Sequence, residues 1–257
     1  MEHTLLPDFL EVAVEAATAA GRHALKHYGR RHAVVQRSSH DVKLQLDLEC
    51  QARAEEVIRR RFADHRVLGE EGGAFSASGE PLWIIDPIDG TVNFSHGLPF
   101  WCCSVALQLD RHTVAGAVVL PMLNQCYRAT RETPAFCNDE PLHVSTVNRL
   151  EEALVLTGLH KDPAETGRSL ALLSRLSAAT QKTRILGAAA MDLCQVAGGR
   201  AEGYFESRIY LWDIAAAGLI LDRAGGRLEV LERYDDVSLR VLGTNGLLHD
   251  ALKAVVT

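Results

Sequence analysis

Asp86 and Asp89 stand three residues apart in the run Leu82-Trp83-Ile84-Ile85-Asp86-Pro87-Ile88-Asp89-Gly90-Thr91-Val92-Asn93-Phe94. Two hard anionic side chains at that spacing suit a divalent cation held beside a phosphate, because magnesium takes oxygen ligands from a few carboxylates plus the substrate. An apolar strand leads into the pair, and the spacing predicts a turn that carries both. Pro87 holds Asp86 to extended backbone and donates no hydrogen bond. The Ile88 carbonyl between them can serve as a further oxygen ligand. Gly90 lets the backbone come close to a ligand. Thr91 can cap a following helical turn whose N–H groups would face phosphate.

The Asp-x-x-Asp-Gly pattern alone also describes an ordinary Asx-turn that needs no metal. Its neighbours change the reading. Glu70 and Glu71 occupy a second turn upstream, and Trp212-Asp213 opens a helix downstream. An aspartate there is often only an N-cap. Here a bulky aromatic precedes it and Ala215-Ala216-Ala217-Gly218 follows, a helix thin enough for close packing.

These residues must be positioned by a chain of 257 residues, long enough to bury a sizeable core as one large domain or two joined ones. Hydrophobic residues make up 47% and charged residues 23%, an ordinary globular balance. A net charge of −6 disfavours nucleic acid or an anionic membrane as the partner. The run Arg59-Arg60-Arg61 reads as a helix end complementing the dipole. None of the six cysteines forms a C-x-x-C pair, no signal peptide is recognisable and no apolar run reaches membrane-spanning length. The expectation is a cytoplasmic protein with reduced thiols.

Periodicity predicts helices over 8–28 and 47–62, with a short extended segment at Val42, Leu44 and Leu46 before the second. His23 and His27 lie one helical turn apart, but no third ligand is near them in sequence, so they read as surface histidines. Strands follow at 83–85, 104–109, 113–120 and 125–130, the middle two joined as a hairpin. The second half alternates: strands at 154–156, 184–186, 203–205, 227–230 and 240–243, helices at 165–177, 188–196 and 213–223. Helices on a largely antiparallel sheet followed by β/α alternation predict an α+β part and an α/β part. A soft boundary near 145–149 divides residues 1–145, which carry most of the candidate ligands, from residues 146–257, which carry Asp213 and the candidate substrate contacts.

Three motifs now resemble one family. They are Gly69-Glu70-Glu71, Trp83 to Phe94 with His96-Gly97, and Trp212-Asp213-Ile214-Ala215-Ala216 with Ala224-Gly225-Gly226. Their order and separation resemble the inositol monophosphatase family of magnesium-dependent, lithium-sensitive phosphatases. The resemblance implies a layered αβαβα sandwich and a homodimer. It implies a first magnesium on Glu70, Asp86 and the Ile88 carbonyl, a second on Asp86, Asp89 and Asp213, and a third, weaker ion touching Glu70. Gly90 and Thr91 would bind phosphate through backbone N–H groups. Asp47 matches an aspartate that pairs with this threonine, and Glu206 matches a contact to substrate hydroxyls. The implied reaction is hydrolysis of a small phosphate monoester, with inositol 1-phosphate the best single substrate, by a metal-activated water and without a phosphoenzyme.

Several positions depart from the family pattern. Asp41-Val42-Lys43-Leu44 replaces a common Asp-Leu-Val-Thr, Gln36 stands where a lysine is common, and Ala188 replaces a small hydroxyl residue. Lys43 or Arg37 is the expected source of the missing positive charge. The altered stretch leaves open histidinol phosphate, fructose 1,6-bisphosphate or 3′-phosphoadenosine phosphate as substrate. It also leaves open a non-catalytic metal or phosphate sensor, against which stands the cost of clustering Glu70, Asp86, Asp89 and Asp213 without cations.

Overall fold

The computed structural model describes residues 2–29, 34–37, 42–73, 79–159 and 163–257. Along the chain, α1 (Glu2–His27) is followed by the strands β1 (Val34–Arg37) and β2 (Val42–Leu44), which pair antiparallel. The side chains of Gln36, Arg37 and Lys43 lie outside the described residues, so the expected compensating charge has no structural description here. Helix α2 (Gln45–Arg61) begins earlier than its periodicity suggests and takes in Gln45 and Leu46.

A mixed eight-stranded sheet follows among the described residues. Its strands are β3 (Arg66–Gly69), β4 (Gly72–Gly73), β5 (Leu82–Asp89), β6 (Cys102–Leu109), β7 (His112–Leu120), β8 (Gln125–Thr130), β9 (Phe136–Cys137) and β10 (Glu140–Pro141). They lie in the order β10-β9-β8-β7-β6-β5-β3-β4. Only β3 and β5 pair parallel. The β6–β7 turn is the expected hairpin: Asp110 and Arg111 both take positive φ, which matches the twist of the flanking strands. A single helical turn, α3 (Thr91–Ser95), leaves the end of β5.

The second sheet has the order β12-β11-β13-β15-β14, built from β11 (Leu154–Thr157), β12 (Lys182–Arg184), β13 (Gly203–Tyr210), β14 (Arg227–Arg233) and β15 (Ser238–Thr244). Helices α4 (Pro163–Ala179), α5 (Ala189–Ala197), α6 (Leu211–Arg223) and α7 (His249–Val256) complete the chain. The expected strand at 184–186 is displaced: the strand is Lys182–Arg184, and Ile185 and Leu186 leave it.

The layers follow from which faces are apolar. Helices α1 and α2 cover one face of the first sheet, with Trp83, Ile85, Trp101 and Val105 in that core. Helices α5 and α6 are apolar on both sides, as a helix between two sheets must be: Ala216 packs on the other face of the first sheet, while Leu193 and Leu221 reach Gly243 of the second. Helices α4 and α7 cover the outer face of the second sheet around Phe205, Leu172 and Leu252. The result is the αβαβα sandwich. Its central layer packs tightly. A Cβ on Gly116 of β7 would sit 2.9 Å from the Ala216 Cα, so the small residues of α6 let the helix backbone approach the sheet.

Candidate active site

Asp86 and Asp89 lie on the end of β5 itself, not on a turn beyond it, and all eight residues of that strand are buried. In a regular strand, residues three apart face opposite sides. Here the register shifts between them: Asp86 pairs with Ser104 and Asp89 with Cys102, so three steps along β5 match two along β6. This bulge turns both carboxylates to the same face, toward α5 and α6. Pro87 sits within it, at the kind of position where a strand interior accepts proline. Its carbonyl accepts the Cys103 thiol at 2.8 Å.

Asp213 comes from the opposite side, in the first turn of α6. Its Oδ2 accepts the Tyr210 N–H at 2.8 Å as the N3 member of a capping box, so Tyr210, and not Asp213, is the N-cap of α6. The same side chain meets Asp86 and Asp89. One carboxylate oxygen from each of the three lies within 4.8 Å of the others. Asp86 Oδ1 is buried with no hydrogen-bond partner among the described residues.

Three carboxyl groups so placed cannot all ionise without a counter-charge. Burial, then the charges of Glu70, Asp89 and Asp213, push the Asp86 carboxyl well above its usual range. Burial and the Asp89 charge push Asp213 up to about 8. Asp89 rises to about 6 through burial, opposed chiefly by N–H donation from the first turn of α5. A buried oxygen without a partner and three carboxyl groups pushed up in pKa are what an all-oxygen cation site shows without its counter-charge, and the donor set fits a hard divalent ion.

Glu70 stands beside this trio, and its charge is the second cause of the Asp86 shift. Its own N–H donates to the Ile85 carbonyl at 3.1 Å, which ties the turn after β3 to β5. Gln51 of α2 holds the same turn by accepting the Glu71 N–H at 3.1 Å. Gly90 has φ +89, and a Cβ there would lie 2.8 Å from the Phe100 carbonyl oxygen. Gly90, not Thr91, is the N-cap of α3. The Thr91 hydroxyl donates to the Ile88 carbonyl at 2.9 Å. That bond leaves the second lone pair of the carbonyl for a ligand, but it occupies the hydroxyl proton that a Thr91–Asp47 pair would use. Asp47 itself is buried in the first turn of α2.

Glu206, on β13, accepts the Tyr204 hydroxyl at 2.6 Å. Its charge contributes to the raised pKa of Asp213 and of Asp192. A side chain on residue 158 would overlap it, so Gly158 makes room for this carboxylate.

Some residues of the site escape sequence reasoning. Asp89 accepts the N–H groups of Ala189 at 3.1 Å and Ala190 at 2.7 Å, so it sits on the N-terminus of α5. The helix start near 188 was the available signal. The Cys102 thiol also donates to Asp89, at 3.4 Å. Asn93 donates to the carbonyls of Phe100 and Leu186, both at 2.7 Å, and to that of Gly187 at 3.3 Å. It thereby joins α3 to the segment before α5. A separate cavity of about 580 Å³, lined in part by Arg168, Arg175, Arg208 and Arg240, lies against α4 and contains none of these residues.

A central helix layer between two mixed sheets, with a buried carboxylate trio at a bulged strand end, defines a metal-dependent phosphatase sandwich. The sequence matches the inositol monophosphatase family over residues 6–252. It is 36% identical over 255 residues to the inositol-1-monophosphatase of Synechocystis sp., covering 96% of this chain and 88% of that protein. It is also 36% identical over 221 residues to the Nus factor SuhB of Haemophilus influenzae, covering 84% of this chain and 83% of that protein. The structure of a Thermotoga maritima IMPase superimposes with a TM-score of 0.87 at 34% identity, covering 97% of this chain and 96% of that one. The chain belongs to the inositol monophosphatase family, and it is a phosphoric monoester hydrolase that acts on small phosphate monoesters. None of the described helices is long and apolar enough to cross a membrane.

Proposed function

We propose that the chain hydrolyses inositol 1-phosphate to inositol and phosphate, using two or three Mg2+ ions. The observation that carries this reading is the Asp86, Asp89 and Asp213 cluster with its orphaned Asp86 oxygen. In it, Glu70, Asp86 and the Ile88 carbonyl hold one ion, and Asp86, Asp89 and Asp213 hold a second. A third, weaker ion touches Glu70. When bound, the ions supply a more acidic water and positive charge for the phosphoryl and leaving oxygens.

The chain's own groups do the rest. The bulge keeps both strand carboxylates on one face, and the N-terminus of α5 fixes the Asp89 rotamer. Gly90 and Thr91 turn backbone N–H groups toward the phosphate, and the missing Cβ at Gly90 lets the Phe100 carbonyl and the Gly187–Ala188 segment pack against this loop. Thr91 and Asp47 serve the attacking water, which needs the Thr91 hydroxyl to rotate from Ile88 toward Asp47. Glu206 takes a substrate hydroxyl, and its carboxylate at the end of the Tyr204 bond supports a polyol. On this reading residues 1–145 carry most metal ligands, and residues 146–257 contribute Asp213 and the alcohol contacts.

We also place the enzyme in the cytoplasm as a homodimer. Six unpaired cysteines suit a reducing compartment. Exposed Leu98, Phe100 and Ile185 flank the Asn93 cross-link and offer an apolar face to a second copy.

The test is a substrate panel of inositol 1-phosphate, histidinol phosphate, fructose 1,6-bisphosphate and 3′-phosphoadenosine phosphate, ranked by kcat/KM in Mg2+. Inositol 1-phosphate at the head supports the assignment. Another substrate preferred by tenfold or more, about 1.4 kcal/mol of transition-state discrimination, moves it to that compound.

A further inference from the structure

His23 and His27, surface histidines by sequence, meet a third side chain from another helix. Their rings are 5.0 Å apart, centroid to centroid, on α1. Helix α2 packs against α1 and brings Glu49 alongside, with His23 Nε2 2.9 Å from Glu49 Oε2. One ring nitrogen from each histidine and one Glu49 carboxylate oxygen all lie within 4.8 Å of one another. The histidines are partly buried and Glu49 is exposed, so solvent can reach the open side of the cluster.

We propose that His23, His27 and Glu49 form a second metal site, selective for a borderline transition-metal cation such as Zn2+ and separate from the carboxylate cluster. Two imidazole nitrogens and one carboxylate oxygen are a donor set that zinc, cobalt and nickel take readily and magnesium does not. Ligand atoms ~2.0–2.2 Å from a tetrahedral ion lie about 3.3 Å from each other. The observed spacing therefore asks only for small side-chain rotations, and water completes the fourth position. The ion would replace the His23–Glu49 hydrogen bond by a cross-link between α1 and α2. That matters to the phosphatase site because Glu49 lies between Asp47 and Gln51 on α2, and Gln51 holds the turn that carries Glu70. The site is a structural clamp behind the catalytic face.

The experiment uses the full chain in excess Mg2+, with Zn2+ added while Tm and calorimetric heat are followed. A cation that binds only the folded state raises Tm. The expected result is a zinc-dependent rise and a saturable heat in the wild type and in Asp213→Asn, whose missing carboxylate belongs to the other cluster. Both signals are lost in His27→Ala and in Glu49→Gln, while Tm in Mg2+ alone is unchanged by Glu49→Gln. Should His27→Ala lower stability by itself, the exposed and isosteric Glu49→Gln still decides. No zinc response in the wild type overturns the site, and so does a full response in Glu49→Gln.

Discussion

Asp89, at the bulged end of β5, accepts the backbone N–H of Ala190 at 2.7 Å across the interface between the first sheet and the central helix layer. A carboxylate near a helix N-terminus is stabilised in its charged form. That contact pulls Asp89 down toward ionisation, while burial pushes it and its neighbours up. Within the trio, Asp89 is therefore the carboxylate held nearest its ionised form, and burial and mutual repulsion push its two neighbours further toward protonation.

Asp89→Asn should keep only one of the two helix contacts, because Ala189 and Ala190 donate to different carboxylate oxygens and an amide has a single oxygen to offer, and it also removes a charge from the cation site. Turnover should fall by about two orders of magnitude or more, in the range seen when one transition-state charge contact is removed. The metal-free protein should melt somewhat lower than the wild type, since the buried N–H that loses its acceptor outweighs any relief of like-charge repulsion. Initial rates and Tm in EDTA check both halves. Wild-type turnover would remove Asp89 from the site.

The raised carboxyl groups also predict a pH slope. Their folded pKa values, about 6 for Asp89, about 8 for Asp213 and well raised for Asp86, exceed the ordinary carboxylate value. Between pH ~4 and about 8 the folded state therefore holds protons that the unfolded chain has released. Stability present at the acid end of that window is lost as pH rises. In EDTA, Tm should decline from about pH 5 to about pH 8, and Mg2+ should offset the decline most at the upper end. Asp213→Asn should flatten the slope. A Tm that climbs with pH in EDTA, equally in both proteins, would contradict the assignment.

Gly90→Ala places a Cβ at positive φ and 2.8 Å from the Phe100 carbonyl oxygen. The left-handed conformation alone costs about 1–2 kcal/mol. The loss should appear in urea unfolding, together with a larger fall in kcat/KM than in stability if, as proposed, the displaced backbone binds the phosphate. An unchanged unfolding midpoint would show that the loop relaxes without strain.

Asn93→Ala should strand the carbonyls of Phe100 and Leu186, which share its amide. The expected cost is about 1 kcal/mol, because the Phe100 contact is exposed and the Leu186 contact only part-buried, so water can replace the amide. Since the same amide joins α3 to the segment before α5, the Mg2+ requirement should also rise. Fluorescence-monitored unfolding and a Mg2+ titration of turnover measure the two effects. A stability loss with no change in Mg2+ requirement would confine Asn93 to a structural part.

Much of the site was legible because its residues announce themselves by type. Asp86, Asp89 and Asp213 are carboxylates at element ends, and Gly90 marks a conformation that favours glycine. The order of helices and strands was legible from periodicity, whereas the αβαβα layering rested on the motif resemblance, because which sheet each face of α5 and α6 meets is set by long-range packing. What sequence did not show depends on long-range packing. The bulge at Pro87 arises from register with β6, and a turn was the simpler local reading. The Ala189 and Ala190 N–H groups carry no side-chain signal. Glu49 joins the two histidines only because α2 folds back along α1, which no local spacing records.

The most direct test of the central claim is phosphate release from a phosphate monoester by the wild type and by Asp213→Asn, each in Mg2+ and in EDTA. The buried carboxylate cluster predicts release by the wild type in Mg2+, none in EDTA, and a loss of about two orders of magnitude or more in Asp213→Asn. Equal release with and without Mg2+, or wild-type release by Asp213→Asn, would contradict it.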